Sequence, residues 1–263
     1  MRCLSVLLFL IATPAYAWTN GPNGQCPDPG YSTHDWIADH ARAMLPADER
    51  AWLDPRRNMF LLGTEAPDND DIPASCGAPH SGYDDRRSGH SVEWLADGSN
   101  FAPHPNGGLR DRAARRAREE YNLAAEAFEQ GNPSAAAFFL GAMAHYIGDL
   151  AQYGHTYPDE NVHSTYESWA SRRTDTFDEE EVFESHLHTS NLTRRKPYTA
   201  AKRVSKAVLL GKGDILPATE MDRKYAAQER DQEFIDSTGG ALNLAVNELA
   251  DVLHRFFLNE VEE

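Results

Sequence analysis

Basic residues are scarce in this sequence: 25 Lys and Arg stand against 41 Asp and Glu, a formal net charge of −16. That balance argues against a nucleic-acid partner, whose docking needs a basic stripe, and against charge-driven binding to strongly anionic membranes. Cysteine is scarcer still, at three residues. Long apolar runs are missing: residues 135–144 (AAAFFLGAMA) are too few to span a bilayer and lead straight into His145 and Asp149, so they read as a buried helix. No strand-type alternation of any length, internal repeat or low-complexity tail occurs, which removes extended sheets and repeat arrays from consideration.

What is present begins with a secretory pattern. Arg2 precedes the short apolar residues 4–11 (LSVLLFLI), and Ala15-Tyr16-Ala17 is a small-x-small cleavage site. Residues 1–17 are therefore expected to be a signal peptide and residues 18–263 one mature domain, secreted or periplasmic. The polar Thr19-Asn20-Gly21 that follows speaks against an N-terminal anchor helix. Cleavage at Ala17 makes Trp18 the first residue of the mature chain. Cys3 leaves with the signal, and Cys26 and Cys76 form an even pair suited to a disulfide in an oxidising compartment. Such a loop of about fifty residues is worth roughly 4 kcal/mol in the chain-entropy model. A zinc-thiolate reading lacks a CxxC partner for either cysteine.

The mature chain reads as all-α. Residues 35–45 are helical, residues 67–89 carry too many turn formers for a helix or central strand, and residues 112–129 form a charged, alanine-rich helix. Gly131-Asn132-Pro133 breaks the pattern, with Asn132 as N-cap and Pro133 at the first position of the next helix. The rest of the chain is predicted helical. Leu242, Ala245, Val246, Leu249, Val252, Leu253, Phe256 and Phe257 keep the 3.6-residue period.

The chemistry concentrates in 23 residues: His145-Tyr-Ile-Gly-Asp149-Leu-Ala-Gln-Tyr-Gly-His155, then His163-Ser-Thr-Tyr-Glu167. His145 with Asp149, and His163 with Glu167, are each four apart, one turn up the same helix face. Imidazole and carboxylate are ligands that zinc accepts, and two such pairs on neighbouring helices can converge on one point. Alone, each pair has an ordinary reading as a core histidine or a surface ion pair. The whole series beside an apolar helix points to metal.

This series resembles the zinc-dependent phospholipase C family, related to the S1/P1-type nucleases, which carries an HYxGDxxxxxH motif followed by HxxxE. Members begin their mature chain with a tryptophan that binds zinc through its α-amino nitrogen and carbonyl oxygen, and Trp18 matches. His34, in STHDWI, resembles the histidine opening the first long helix, and Asp68, in LGTEAPD, resembles the aspartate favoured as general base. For the histidine expected next, both His80 and His90 are available. His80 has the closer spacing and His90 the better local pattern, and His90 is preferred. The cysteine-containing insertion there is also similar to the zinc domain of the glycosylphosphatidylinositol-specific phospholipase D.

The resemblance implies about three zinc ions per chain. Asp68, His90, His145 and Asp149 would hold one, His155, His163 and Glu167 a second, and Trp18 and His34 a third, with Asp149 bridging the first and third. It implies hydrolysis of a phospholipid or other phosphodiester by zinc-activated water with Asp68 as base, transient contact with a membrane surface, and no partner protein. Positions that would contact choline do not match, being Gly21, Asn69 and Arg87. A nuclease reading is disfavoured by the short eight-residue step from His155 to His163 and by Glu167 in place of Asp. A non-catalytic, zinc-stabilised helical binding protein would be expected to have lost a ligand or the base, yet every position has a candidate. His186 and His188 near an acidic run read as a solvated loop, Arg194-Arg195-Lys196 as a surface patch, and Asn191-Leu192-Thr193 as a chance sequon.

Overall fold

The computed structural model describes residues 31–69, 71–83, 85, 89–103, 107–157, 163–174 and 183–260. The expected signal peptide, Trp18, Cys26 and hence the Cys26–Cys76 pairing lie outside the described residues, as does the side chain of His163. The architecture is all-α: α1 (Thr33–Ala43), α2 (Ala47–Leu53), α3 (Arg57–Glu65), α4 (Arg112–Glu129), α5 (Pro133–Gly148), α6 (His163–Thr174), α7 (Pro197–Leu210), α8 (Ala218–Ala226) and α9 (Gln232–Glu260). Extended pairing among the described residues is confined to two isolated bridges, Trp94–Phe101 and Pro103–Leu109. No helix among them is long and apolar enough to cross a membrane.

Local chemistry sets the helix ends. Ser32 accepts a hydrogen bond from the Asp35 amide (3.3 Å) while Asp35 Oδ2 accepts from the Ser32 amide (2.9 Å), a reciprocal cap that opens α1. Between α4 and α5, Gly131 takes a left-handed φ of 71° and the Asn132 side chain accepts from the Ala135 amide at 3.1 Å, as the Gly-Asn-Pro sequence predicts.

Helix α5 is apolar all round and is enclosed by α1, α3, α4, α7 and α9, the state expected of such a helix in a packed core. Its neighbour α4 offers an alanine face, Ala113, Ala114, Ala117, Ala124 and Ala127, all buried. Helix α9, about 43 Å long at 1.5 Å per residue, closes the core with Phe234, Leu242, Val246, Leu249, Leu253, Phe256 and Phe257. Each such side chain contributes roughly 1.5–3 kcal/mol on burial.

The helical expectation fails over residues 187–196, which run extended along α9. A polar row on α9 satisfies their backbone: Asn243 accepts from the His188 amide, Asn247 from Ser190 and Asp251 from Thr193, at 2.6–3.1 Å. Lys196 is held extended (φ −78°, ψ 140°), because a residue before proline is disfavoured in the α region.

Two helices of the core meet backbone to backbone where α3 crosses α5. A Cβ added at Gly63 would stand 2.0 Å from the Phe138 carbonyl oxygen, and one at Gly141 would stand 1.9 Å from that of Phe60. Both obstructions are backbone, so relief requires the helices to separate. Gly141→Ala should therefore cost about 3 kcal/mol, although alanine normally gains about 1 kcal/mol over glycine inside a helix. Urea unfolding measures the difference, and an unchanged or raised midpoint would contradict this account of the crossing.

Candidate metal centre

The α3–α5 crossing brings three chain segments to one buried point. His34 enters from the first turn of α1, Asp68 from the 3₁₀ turn after α3, and His145 and Asp149 from the end of α5. His155 follows on a 3₁₀ turn and Glu167 on α6. His90 joins from the loop before α4, where the Val92 amide donates to the His155 carbonyl at 3.0 Å. His34, His90, His145, Asp149, His155 and Glu167 are all at most 2% exposed.

Asp149 is the hub. Its Oδ1 lies 3.4 Å from His34 Nε2 and 3.6 Å from His155 Nε2, and its Oδ2 lies 2.8 Å from His90 Nδ1 and 3.1 Å from His145 Nε2. Asp68 Oδ1 stands 3.5 Å from His90 Nε2 and 3.7 Å from His145 Nε2. Glu167 Oε1 is 3.6 Å from His155 Nε2 and accepts from the Gln152 side chain at 3.1 Å. Of the two histidines available after Asp68, the structure places His90 in this cluster. His80 is exposed, stacks on Tyr83 and accepts from the Gly82 amide.

Electrostatics follow from burying one carboxylate among four imidazoles. Burial pushes the Asp149 carboxyl up, but His145, His155 and His90 outweigh it and hold the group well below the usual carboxylate range. Burial likewise opposes charge on His90, yet the Asp149 carboxylate beside it drives its pKa up to about 9. Asp68 is raised to about 6, chiefly by burial. His34 is held neutral, well below the ordinary imidazole value, by burial and by the stacked His145 ring 3.8 Å away.

Two observations test whether these residues suit a metal. Both ring nitrogens of His34 and Oδ1 of Asp149 are buried without a hydrogen-bond partner, a costly state unless something else engages them. Five of the donor spacings, 3.4–3.7 Å, also match the edge of a tetrahedron with bonds of about 2.1 Å, roughly 3.4 Å, while His90 and His145 approach Asp149 to hydrogen-bond distances of 2.8 and 3.1 Å. His34, His145 and Asp149 form one compact donor set and Asp68, His90 and His145 another. The residues fit a small cation that takes nitrogen and oxygen ligands.

A family model described as zinc dependent phospholipase C matches residues 33–207. The chain belongs to the zinc-dependent phospholipase C family. A curated relative, the phospholipase C of Paraclostridium bifermentans, is 27% identical over 190 residues, covering 66% of this chain and 44% of that enzyme. Solved structures with the same fold include the alpha toxin of Clostridium absonum, with TM-score 0.56, 20% identity, 89% of this chain and 65% of the toxin. Another is the alpha-toxin of Clostridium perfringens from avian strain SWCP, with TM-score 0.53, 17% identity, 91% of this chain and 66% of the toxin. The chain thus spans less than half of the curated relative and just under two thirds of each toxin.

A layer of contacts around this candidate donor set orients it, and most of this layer escaped the sequence reading. The Thr64 carbonyl accepts from His145 Nδ1 at 2.7 Å, turning Nε2 toward the cluster. The Asp85 carbonyl accepts from His90 Nε2 at 2.9 Å, turning Nδ1 inward. The Asp85 carboxylate in turn accepts from Tyr146 Oη (2.6 Å) and Arg116 Nε (2.9 Å). Arg116 also pairs with Glu119 and the fully buried Glu120, and lies over the rings of Tyr83 and Tyr146. Tyr146, inside the HYIGD motif, was the one signal within reach. Ligand-orienting contacts of this type carry roughly 10–100-fold in metal affinity. Arg116→Met should weaken zinc retention about tenfold or more in chelator competition, and Tyr146→Phe should weaken it less. Wild-type zinc affinity in Arg116→Met would remove Arg116 from this role.

Proposed function

We propose that the mature protein is an exported phospholipase C-type phosphodiesterase, holding about three zinc ions and hydrolysing phospholipids. The observation that carries this reading is Asp149, fully buried with four imidazole nitrogens within 3.6 Å. In the proposal Asp68, His90, His145 and Asp149 hold one ion, His155, His163 and Glu167 a second, and Trp18 and His34 a third shared with Asp149. When bound, zinc supplies the positive charge that neutralises a phosphodiester and acidifies water.

The chain's own groups do the rest. Thr64 and the Asp85 carbonyl fix the imidazole tautomers, so the donor set is preorganised. Asp68, its side chain only 7% exposed beside His90 and His145, takes a proton from the attacking water. The water oxygen bonds to phosphorus, the bond to the glycerol oxygen breaks, and that oxygen recovers a proton, leaving diacylglycerol and a phosphorylated head group. Gln152, bonded to Glu167, orients the far side of the centre. Export through a cleaved signal and a Cys26–Cys76 disulfide belong to the same reading.

Asp68→Asn should lower turnover on phospholipid vesicles by roughly 10²–10⁴-fold while most of the zinc stays bound. Full activity would sink the assignment of the base, and loss of all metal would make Asp68 a ligand first. A panel with phosphatidylcholine, other phospholipids, bis-p-nitrophenyl phosphate and single-stranded DNA, with and without chelator, measures the substrate class. Dominant DNA cleavage would overturn the lipid reading.

The terminal ligand gives a separate test. An amide is a poor ligand where a free amine is a good one, so one added residue ahead of Trp18 should remove one zinc and most activity. The fold should persist, because the helical core is untouched. Trp18→Ala, correctly processed, should keep much more, since backbone atoms are the proposed donors. Equal zinc content by elemental analysis in the extended and processed forms would exclude the N-terminal site.

A further inference from the structure

Arg118, Lys196 and Arg255, from α4, the end of the extended segment and α9, line a cavity of about 350 Å³ with Tyr121, Tyr198 and Asn122. No carboxylate of the described residues lines it. None of the three cationic side chains makes an ion pair among the described residues. Acidic residues outnumber basic ones by 41 to 25, and Arg42, Arg57, Arg110, Arg115, Arg116, Arg195, Arg203 and Arg223 are each paired, whereas here three cations without a described pair meet in one concavity. The neighbouring acid, Asp111, is already engaged by the Tyr198 hydroxyl at 2.8 Å and by Arg115 at 3.0 Å. The cavity shares no lining residue with the zinc cluster.

We propose that this cavity is a second anion site, which takes a phosphate monoester or phosphate dianion. Three cations concentrated in one concavity repel one another, and a dianion relieves that repulsion. Two guanidinium forks match tetrahedral oxyanions bidentately, and Lys196 adds a point charge. The volume lies at the small end of ligand cavities, which suits a headgroup-sized anion. The Arg118 guanidinium, 5.8 Å from the Tyr198 ring centre, is positioned by an aromatic wall. The phosphate chemistry has two sources, an anionic lipid headgroup at a bilayer or a free phosphorylated solute.

The test is titration of the zinc-loaded, processed protein with inorganic phosphate at low ionic strength, by calorimetry. The wild type should show two classes of site, one at the metal centre and one here. Arg118→Gln/Arg255→Gln should lose the second class, with at least a tenfold weaker affinity, while hydrolysis of bis-p-nitrophenyl phosphate stays within twofold of wild type. Arg118 is exposed and Arg255 half-buried, and an unchanged melting temperature checks that the fold is intact. Arg118→Lys, which keeps the charge, should retain most of the binding. Sedimentation with phosphatidylcholine vesicles, with and without phosphatidic acid, separates the sources. Retention by phosphatidic acid that the double variant loses assigns the lipid headgroup, and phosphate binding without vesicle retention assigns the free solute. Phosphate binding by the double variant with wild-type stoichiometry and affinity would overturn the proposal. That result would leave the zinc chemistry standing, because the hydrolysis is read separately.

Discussion

Everything in this protein is arranged around one carboxylate that could not survive alone where it is. Asp149 is fully buried and sits at the C-terminal end of α5, where the helix dipole already disfavours negative charge. An isolated buried carboxylate costs several kcal/mol or neutralises. His145, His155 and His90 around it keep it ionised instead. The clustered imidazoles are in turn a liability, since His34 is left without hydrogen bonds and like-charged rings face one another. A polar cluster of this sort inside an alanine-rich helical core is stable as a half-filled network only at a cost. A cation of the kind the family takes, held among these donors, would resolve both problems at once.

The geometry of that cluster depends on an apolar feature remote from any charge. Gly63 and Gly141 let α3 and α5 touch backbone to backbone, and each glycine lies within one turn or so of a functional segment. Thr64 follows Gly63 and supplies the carbonyl that orients His145. Asp68 follows five residues later, while His145 and Asp149 lie one and two turns beyond Gly141 on the same face. Gly148 completes the fit, because a Cβ there would press within 3.2 Å of His34 Nδ1. Close helix packing and donor spacing are therefore one property of the fold, and the second layer of Asp85, Arg116 and Tyr146 locks the loop that delivers His90.

Much of this was legible before the fold was seen. The i,i+4 pairing of His145 with Asp149 needed only helical periodicity, and the Gly131-Asn132-Pro133 break stated its own cap. The terminal helix announced itself through the apolar period from Leu242 to Phe257. Helix α3 was not anticipated, because nine residues between Pro55 and Pro67 carry too short a pattern to separate from a loop. The extended path of residues 187–196 was missed for a different reason: its partners, Asn243, Asn247 and Asp251, lie some sixty residues away in a helix whose polar face looked merely solvated. Arg116 likewise looked like one charge among many on α4.

Sequence alone determined what is local: helix starts and stops, the apolar faces, the candidate donor types and their spacing along α5 and α6, since these depend on neighbours within about one turn. It also carried the family, through motifs whose residues are nearly contiguous. Tertiary structure decided which of two histidines, His80 or His90, reaches Asp149, which cations find partners and which remain exposed around a cavity, and how close α3 comes to α5. These outcomes turn on contacts between segments far apart in the chain. Side-chain identity limits such contacts, but only the folded backbone selects them, because a shift of an ångström in a helix crossing makes or breaks a hydrogen bond.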